Sequence, residues 1–211
     1  MLLIVGLLVL IGLLLLGLAL RGRPLPPWSG QVVQVKHSML TKPEWMAPEH
    51  VCKQVAHAYQ EALHWLQDAP LMGVAAQQAQ IGMYLDGELL QQHQAQFAYN
   101  ERNLPRFIGI LRVAHFIQVR QFSEHGEQCL VIDYQTERRM ATYHTADHRR
   151  VTTQALADAY VIYQMRYDAD AARWKIARFV QELNVATYLY QKQPYPLPEF
   201  TLYSKPIGRD N

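Results

Sequence analysis

At Leu104 the spacing of apolar side chains changes, and that change admits few folds. Upstream, Val51, Val55, Tyr59, Ala62 and Leu66 recur at helical intervals between Glu49 and Pro70, which makes one apolar helix face. A second helical pattern covers about 71–100 and is rich in Ala and Gln, both tolerated in helices. Gly73, Gly82 and Gly87 interrupt it, and a break is expected within "YLDGEL", 84–89. Downstream, the period falls to two. "FIGILRVAHFIQVRQF" (107–122), "CLVIDYQTERRMATYH" (129–144), "ALADAYVIYQMRY" (155–167) and "ARWKIARFVQEL" (172–183) read as strands. Short polar loops join them, as in an antiparallel meander. Helices followed by strands imply an α+β fold, with the helices covering one face of the sheet. The expected shape is a cone: a curved four-strand sheet, mainly antiparallel, wrapped on helix.

Strand parity assigns faces. On the first strand, Leu111, Val113, His115, Ile117 and Val119 share one side. On the second, Leu130, Ile132, Tyr134 and Thr136 look like the interior set, which would turn Asp133 toward solvent or a partner.

Residues 2–20, "LLIVGLLVLIGLLLLGLAL", carry no charged side chain. In helix they rise about 28 Å, close to the apolar thickness of a bilayer. A signal peptide wants a basic start and a shorter apolar run, whereas no Lys or Arg precedes this one. A single-pass membrane anchor fits better. Release by cleavage at Gly17-Leu18-Ala19 is the alternative. Arg21 and Arg23 follow the run and favour a cytoplasmic domain by the positive-inside rule. "PLPPWSG" (24–30) reads as a stiff linker, with Trp28 placed to rest at the lipid interface. The chain thus divides into a transmembrane anchor (1–21), a linker (22–47), the α+β domain (48–183) and a proline-rich tail (184–211) expected to be irregular.

Charge bounds the partners. Of 20 Lys and Arg, Arg21 and Arg23 flank the apolar run, leaving 18 against 18 Asp and Glu. A neutral domain lacks the basic footprint that nucleic acid requires. Cys52 and Cys129 have no ligand spacing and read as separate buried thiols.

The order helix, helix, long strands, ending in "YVIYQMRYDADAARWKIARFV" (160–180), resembles the nuclear transport factor 2-like superfamily. Domains of that kind often close with an apolar strand, a short acidic turn, then Trp-Lys-Ile, here Trp174-Lys175-Ile176. Within it the pattern is similar to membrane-anchored bacterial members and, distantly, to the related domain of plastid-division proteins. "GELLQQ" (87–92) matches a helical stretch near the start of that domain. The resemblance spans about residues 48–183. It implies a cone that hosts isomerases, hydrolases and dehydratases as well as non-catalytic binding domains, so it leaves activity open.

Candidate sites follow. Asp168 and Asp170 fail as a calcium loop, since positions five, six and twelve are Ala172, Arg173 and Phe179. They suit a hairpin turn. His50, His57 and His64 recur every seven residues, too far apart for one metal. They read as a solvated helix flank. The basic triplets "ERR" (137–139) and "HRR" (148–150) read as solvated charge. Catalytic candidates are His115, Asp133 and Tyr163, and ligand-pocket candidates are Tyr134, Tyr163 and Trp174. No metal or cofactor is expected. The expected function is a membrane-anchored, non-catalytic binding or scaffold domain, acting in a protein assembly or on a small apolar ligand. The alternative is a small isomerase, lyase or hydrolase with a His/Asp/Tyr site in the cone. A homodimer through the open sheet face is also expected, with Tyr134, Tyr143 or Phe122 exposed there.

Overall fold

A computed structural model describes residues 24–36, 43–103, 105–186 and 200–203. The expected anchor at 2–20 and the tail prolines 194, 196, 198 and 206 lie outside the described residues. No described helix is long and apolar enough to cross a membrane.

Helix α1 spans Glu49–Asp68. Pro48 precedes it, where a missing N–H costs nothing. Glu49 in its first turn suits the helix dipole and pairs with Lys53 at 2.5 Å. A 3-10 turn, Ala69–Leu71, containing Pro70 ends it. Helix α2 covers Val74–Tyr84 and α3 covers Gly87–Asn103. The break between them falls at Leu85–Asp86, inside the expected stretch. It is stitched to the sheet, because Asp86 N–H donates to the Ile176 carbonyl at 2.9 Å. Gly87 has a φ of +51°, and a Cβ there would lie 3.3 Å from the Ala177 carbonyl oxygen, so glycine is the fitting residue.

Two short strands, β1 (Val33–Val35) and β2 (Glu44–Met46), pair antiparallel. The main sheet holds β3 (Arg106–Arg120), β4 (Gln128–His144), β5 (Arg150–Ala155), β6 (Ala159–Asp168), β7 (Arg173–Asn184) and β8 (Phe200–Tyr203). Its order is β7-β6-β4-β3-β8, and β5 also pairs with β4. All these pairings are antiparallel. The class is therefore α+β, with three α-helices and an antiparallel sheet among the described residues. The sheet has six strands where four were expected. β5 escaped notice because its side chains are all exposed, leaving no apolar alternation. β8 belongs to the stretch expected as irregular tail. It nonetheless pairs with β3, His115 opposite Leu202.

The main core lies between α1 and one face of the sheet. Val51, Val55 and Tyr59 from α1 meet Ile117, Val131, Met165 and Ile176, all essentially inaccessible to water. Each fully buried aliphatic side chain of this kind contributes about 1.5–3 kcal/mol. A smaller cluster, Ile132 and Ile162 with Leu130, Tyr160, Val180 and Leu183, occupies the opposite sheet face.

Residues 24–36, expected within a linker, pack on this domain. Trp28 is buried, its ring 4.6 Å from Tyr167 and 5.7 Å from Trp174, and its Nε1–H donates to the Gly126 carbonyl at 3.1 Å. A side chain so enclosed is not available to a lipid interface. Phe122, expected on an exposed face, is also buried, against Trp174 at 6.1 Å. Neither cysteine forms a disulfide and both are buried, and burial, then the neighbouring Cys52, pushes the Cys129 thiol well up.

Candidate functional site

Antiparallel pairing across the turn at 123–127 sets Ile117 opposite Asp133 and His115 opposite Gln135. Odd residues of β3 therefore share a face with odd residues of β4 over this stretch, and that face is the one under α1. Asp133 is fully buried and His115 nearly so. The expectation that Asp133 faces solvent is thus corrected. Both faces of β4 carry apolar residues, so composition alone does not reveal which lies inside. The signal was present in the hairpin register: an interior His115 requires an interior Asp133.

A buried carboxylate needs donors. Asp133 Oδ2 accepts from Tyr59 Oη–H at 3.0 Å and from Gln135 Nε2 at 2.8 Å, and it lies 2.7 Å from His115 Nδ1. With two neighbours donating to that oxygen, the network places the His115 proton on Nδ1. Nε2 is then the ring nitrogen left outside that contact. His115 Nε2 and Asp133 Oδ1 are both buried without a hydrogen-bond partner among the described residues. An imidazole oriented by a carboxylate, its second nitrogen unengaged, is equipped to accept a proton or a hydrogen bond. Tyr59 and Gln135 were not anticipated. Tyr59 is indistinguishable in sequence from the other apolar-face residues of α1.

His115 and Gln135 line a cavity of about 230 Å³. Leu63 and Leu66 of α1 wall one side, with Ile110, Val113, Val161 and Phe179 of the sheet opposite. Tyr163 lines it too, and its ring stands 5.7 Å from Tyr59. Burial, then the nearby Asp133, pushes the Tyr163 hydroxyl up to about 12. The same two causes, in the same order, hold Tyr59 well above the usual phenol range. Both phenols therefore stay protonated through the physiological range. Arg112, Arg138, Arg139 and Glu182 also line it, with Gln67 and Leu156.

The structure thus brings His115, Asp133 and Tyr163 together. It does not bring Tyr134 and Trp174 into the cavity. Tyr134 stacks on Tyr160 at 4.7 Å on the far sheet face, where β4 alternation carries it. Trp174 sits among Trp28, Phe122 and Tyr167 at the opposite end of the strands.

Elsewhere, Asp168 closes the β6–β7 hairpin. Its Oδ1 accepts the N–H groups of Asp170 at 3.0 Å and Ala171 at 3.2 Å, and Lys175 Nζ lies 2.7 Å from Oδ2. These are turn contacts. His50 and His57 are exposed on α1, and His57 pairs with Glu61 at 3.6 Å. Among the described residues, no three His, Cys, Asp or Glu side chains converge as metal ligands.

No family model matches this chain, and no curated protein matches it. Among solved structures, it is similar to the intermembrane-space region of the chloroplast protein ARC6, at 16% identity and a TM-score of 0.45, over 65% of this chain and 97% of that one.

Proposed function

We propose that this chain is a non-catalytic binding domain, held at a membrane through residues 2–20, that takes a small and largely apolar ligand into the cavity beside His115. The fold is read as the cone of the nuclear transport factor 2-like superfamily. One observation carries the proposal: His115, held by Asp133, lines a mostly apolar cavity together with Gln135 and Tyr163. Few precisely placed polar groups among apolar walls are what ligand pockets offer. At about 230 Å³ the cavity falls below the usual range for drug-sized molecules, so the ligand is small.

The test is a titration of the full-length chain in lipid nanodiscs with 3-phenylpropanol, followed by ligand-observed NMR against empty nanodiscs. Binding with a Kd of about 0.1–1 mM is expected. It should disappear in Leu66→Trp, which fills the cavity from the α1 wall. Equal signal from both proteins would sink the cavity as the site. Alkaline carbonate extraction of membranes expressing the chain tests the anchor, since release into the supernatant is incompatible with it.

A second reading is favoured by the 2.7 Å His115–Asp133 contact. The same site would serve a proton-transfer isomerase, lyase or hydrolase, with His115 as base. That reading requires a substrate whose turnover His115→Gln abolishes while binding persists.

A further inference from the structure

The cavity changes character from floor to mouth. Its floor is neutral and polar, at His115 and Gln135, and its middle is aliphatic. Its mouth is cationic and open to water, since the Arg112 side chain is 60% exposed and Phe179 is 43% exposed. Two of the three arginines there have carboxylate partners. Arg138 binds Glu182 at 2.8 Å and the Ala157 carbonyl at 2.9 Å, and Arg112 pairs with Glu137. Arg139 has no carboxylate partner among the described residues, and it lies directly opposite Arg112 on the neighbouring strand. Like charges facing each other across a ladder repel. An anion seated between them would relieve that repulsion, and a guanidinium fork matches a carboxylate in shape.

We infer that the ligand is an amphipathic acid, with its apolar body between α1 and the sheet and its carboxylate at the Arg112–Arg139 mouth. This inference rests on the cavity being a ligand site, and it adds the class of ligand.

The test compares three molecules with one apolar body: 3-phenylpropionate, 3-phenylpropanol and 3-phenylpropylamine. Each is titrated at neutral pH into the full-length chain in lipid nanodiscs, with partitioning into empty nanodiscs subtracted. The acid should bind about fivefold tighter than the alcohol, the amine weakest, as expected for a partly solvated charge pair. In Arg139→Gln the acid-to-alcohol ratio should fall to about one, and Arg139→Lys should restore part of it. Equal affinity of acid and alcohol for the wild-type chain overturns the acid class and leaves the cavity standing as a site. An unchanged ratio in Arg139→Gln does the same. Absence of binding by all three up to about 10 mM overturns both.

Discussion

The two ends of the main sheet bury their side chains on different terms. At the turn end, Trp28, Phe122, Tyr167 and Trp174 interlock edge to face and in stacks, and the Trp28 indole N–H reaches a backbone carbonyl. Aromatic contacts of that geometry add to what area burial already supplies. At the cavity end, the same sheet encloses Asp133 and His115, two groups that water solvates far better than protein does. Their hydrogen bonds offset part of that cost, while Asp133 Oδ1 and His115 Nε2 have no hydrogen-bond partner among the described residues. The turn end is arranged for stability. The cavity end encloses a polar pair of the kind that well-packed apolar residues often match in stability.

That contrast can be broken by measurement. Trp174→Ala should show the largest effect, a loss of about 3–5 kcal/mol in urea unfolding, because it opens the middle of the aromatic cluster. A loss below about 1 kcal/mol would mean that the cluster is not what secures that end. Asp133→Ala should cost about 3 kcal/mol, since it strands the Tyr59, Gln135 and His115 donors. The double change His115→Phe with Asp133→Leu should cost less than Asp133→Ala alone. If the double variant is the less stable of the two, the dyad is a stabilising feature after all.

The smallest effect is visible only in base. A phenol whose folded pKa is raised keeps its proton longer in the folded chain than in the unfolded one. Its contribution is present below the ordinary value of about 10 and is lost as pH rises through the folded value. For Tyr163 that window runs from about 10 to about 12. Tyr163→Phe should leave stability at pH 7 within about 0.5 kcal/mol and remove about 2–3 kcal/mol of the alkaline loss. Unfolding curves that stay parallel for the two proteins between pH 9 and 12 would place Tyr163 in water.

Much of the fold is legible from spacing, and most of the site is not. The switch of period at Leu104 marks the helix-to-strand boundary, and "LDG" marks the break before α3, because Asp and Gly both suit a chain reversal. The Asp168 turn is legible for the same reason. Asp133 is not, because Val131, Cys129, Ile132 and Leu130 make either face of β4 a plausible interior. Only the pairing partner decides, and pairing is a property of two strands. Trp28 misleads in a similar way. Local sequence shows prolines around an aromatic, and nothing in it shows that a carbonyl 98 residues away will capture the indole.

The capture of Trp28 has a mechanical consequence. Pro24 and Pro26 lie beside the turn end, next to Asp168 and Tyr167. From Tyr167 back along β6 to Val161 on the cavity wall is about 20 Å. A pull on the chain at Pro24 is therefore passed to the sheet at its turn end, at the far end of β6 from the cavity.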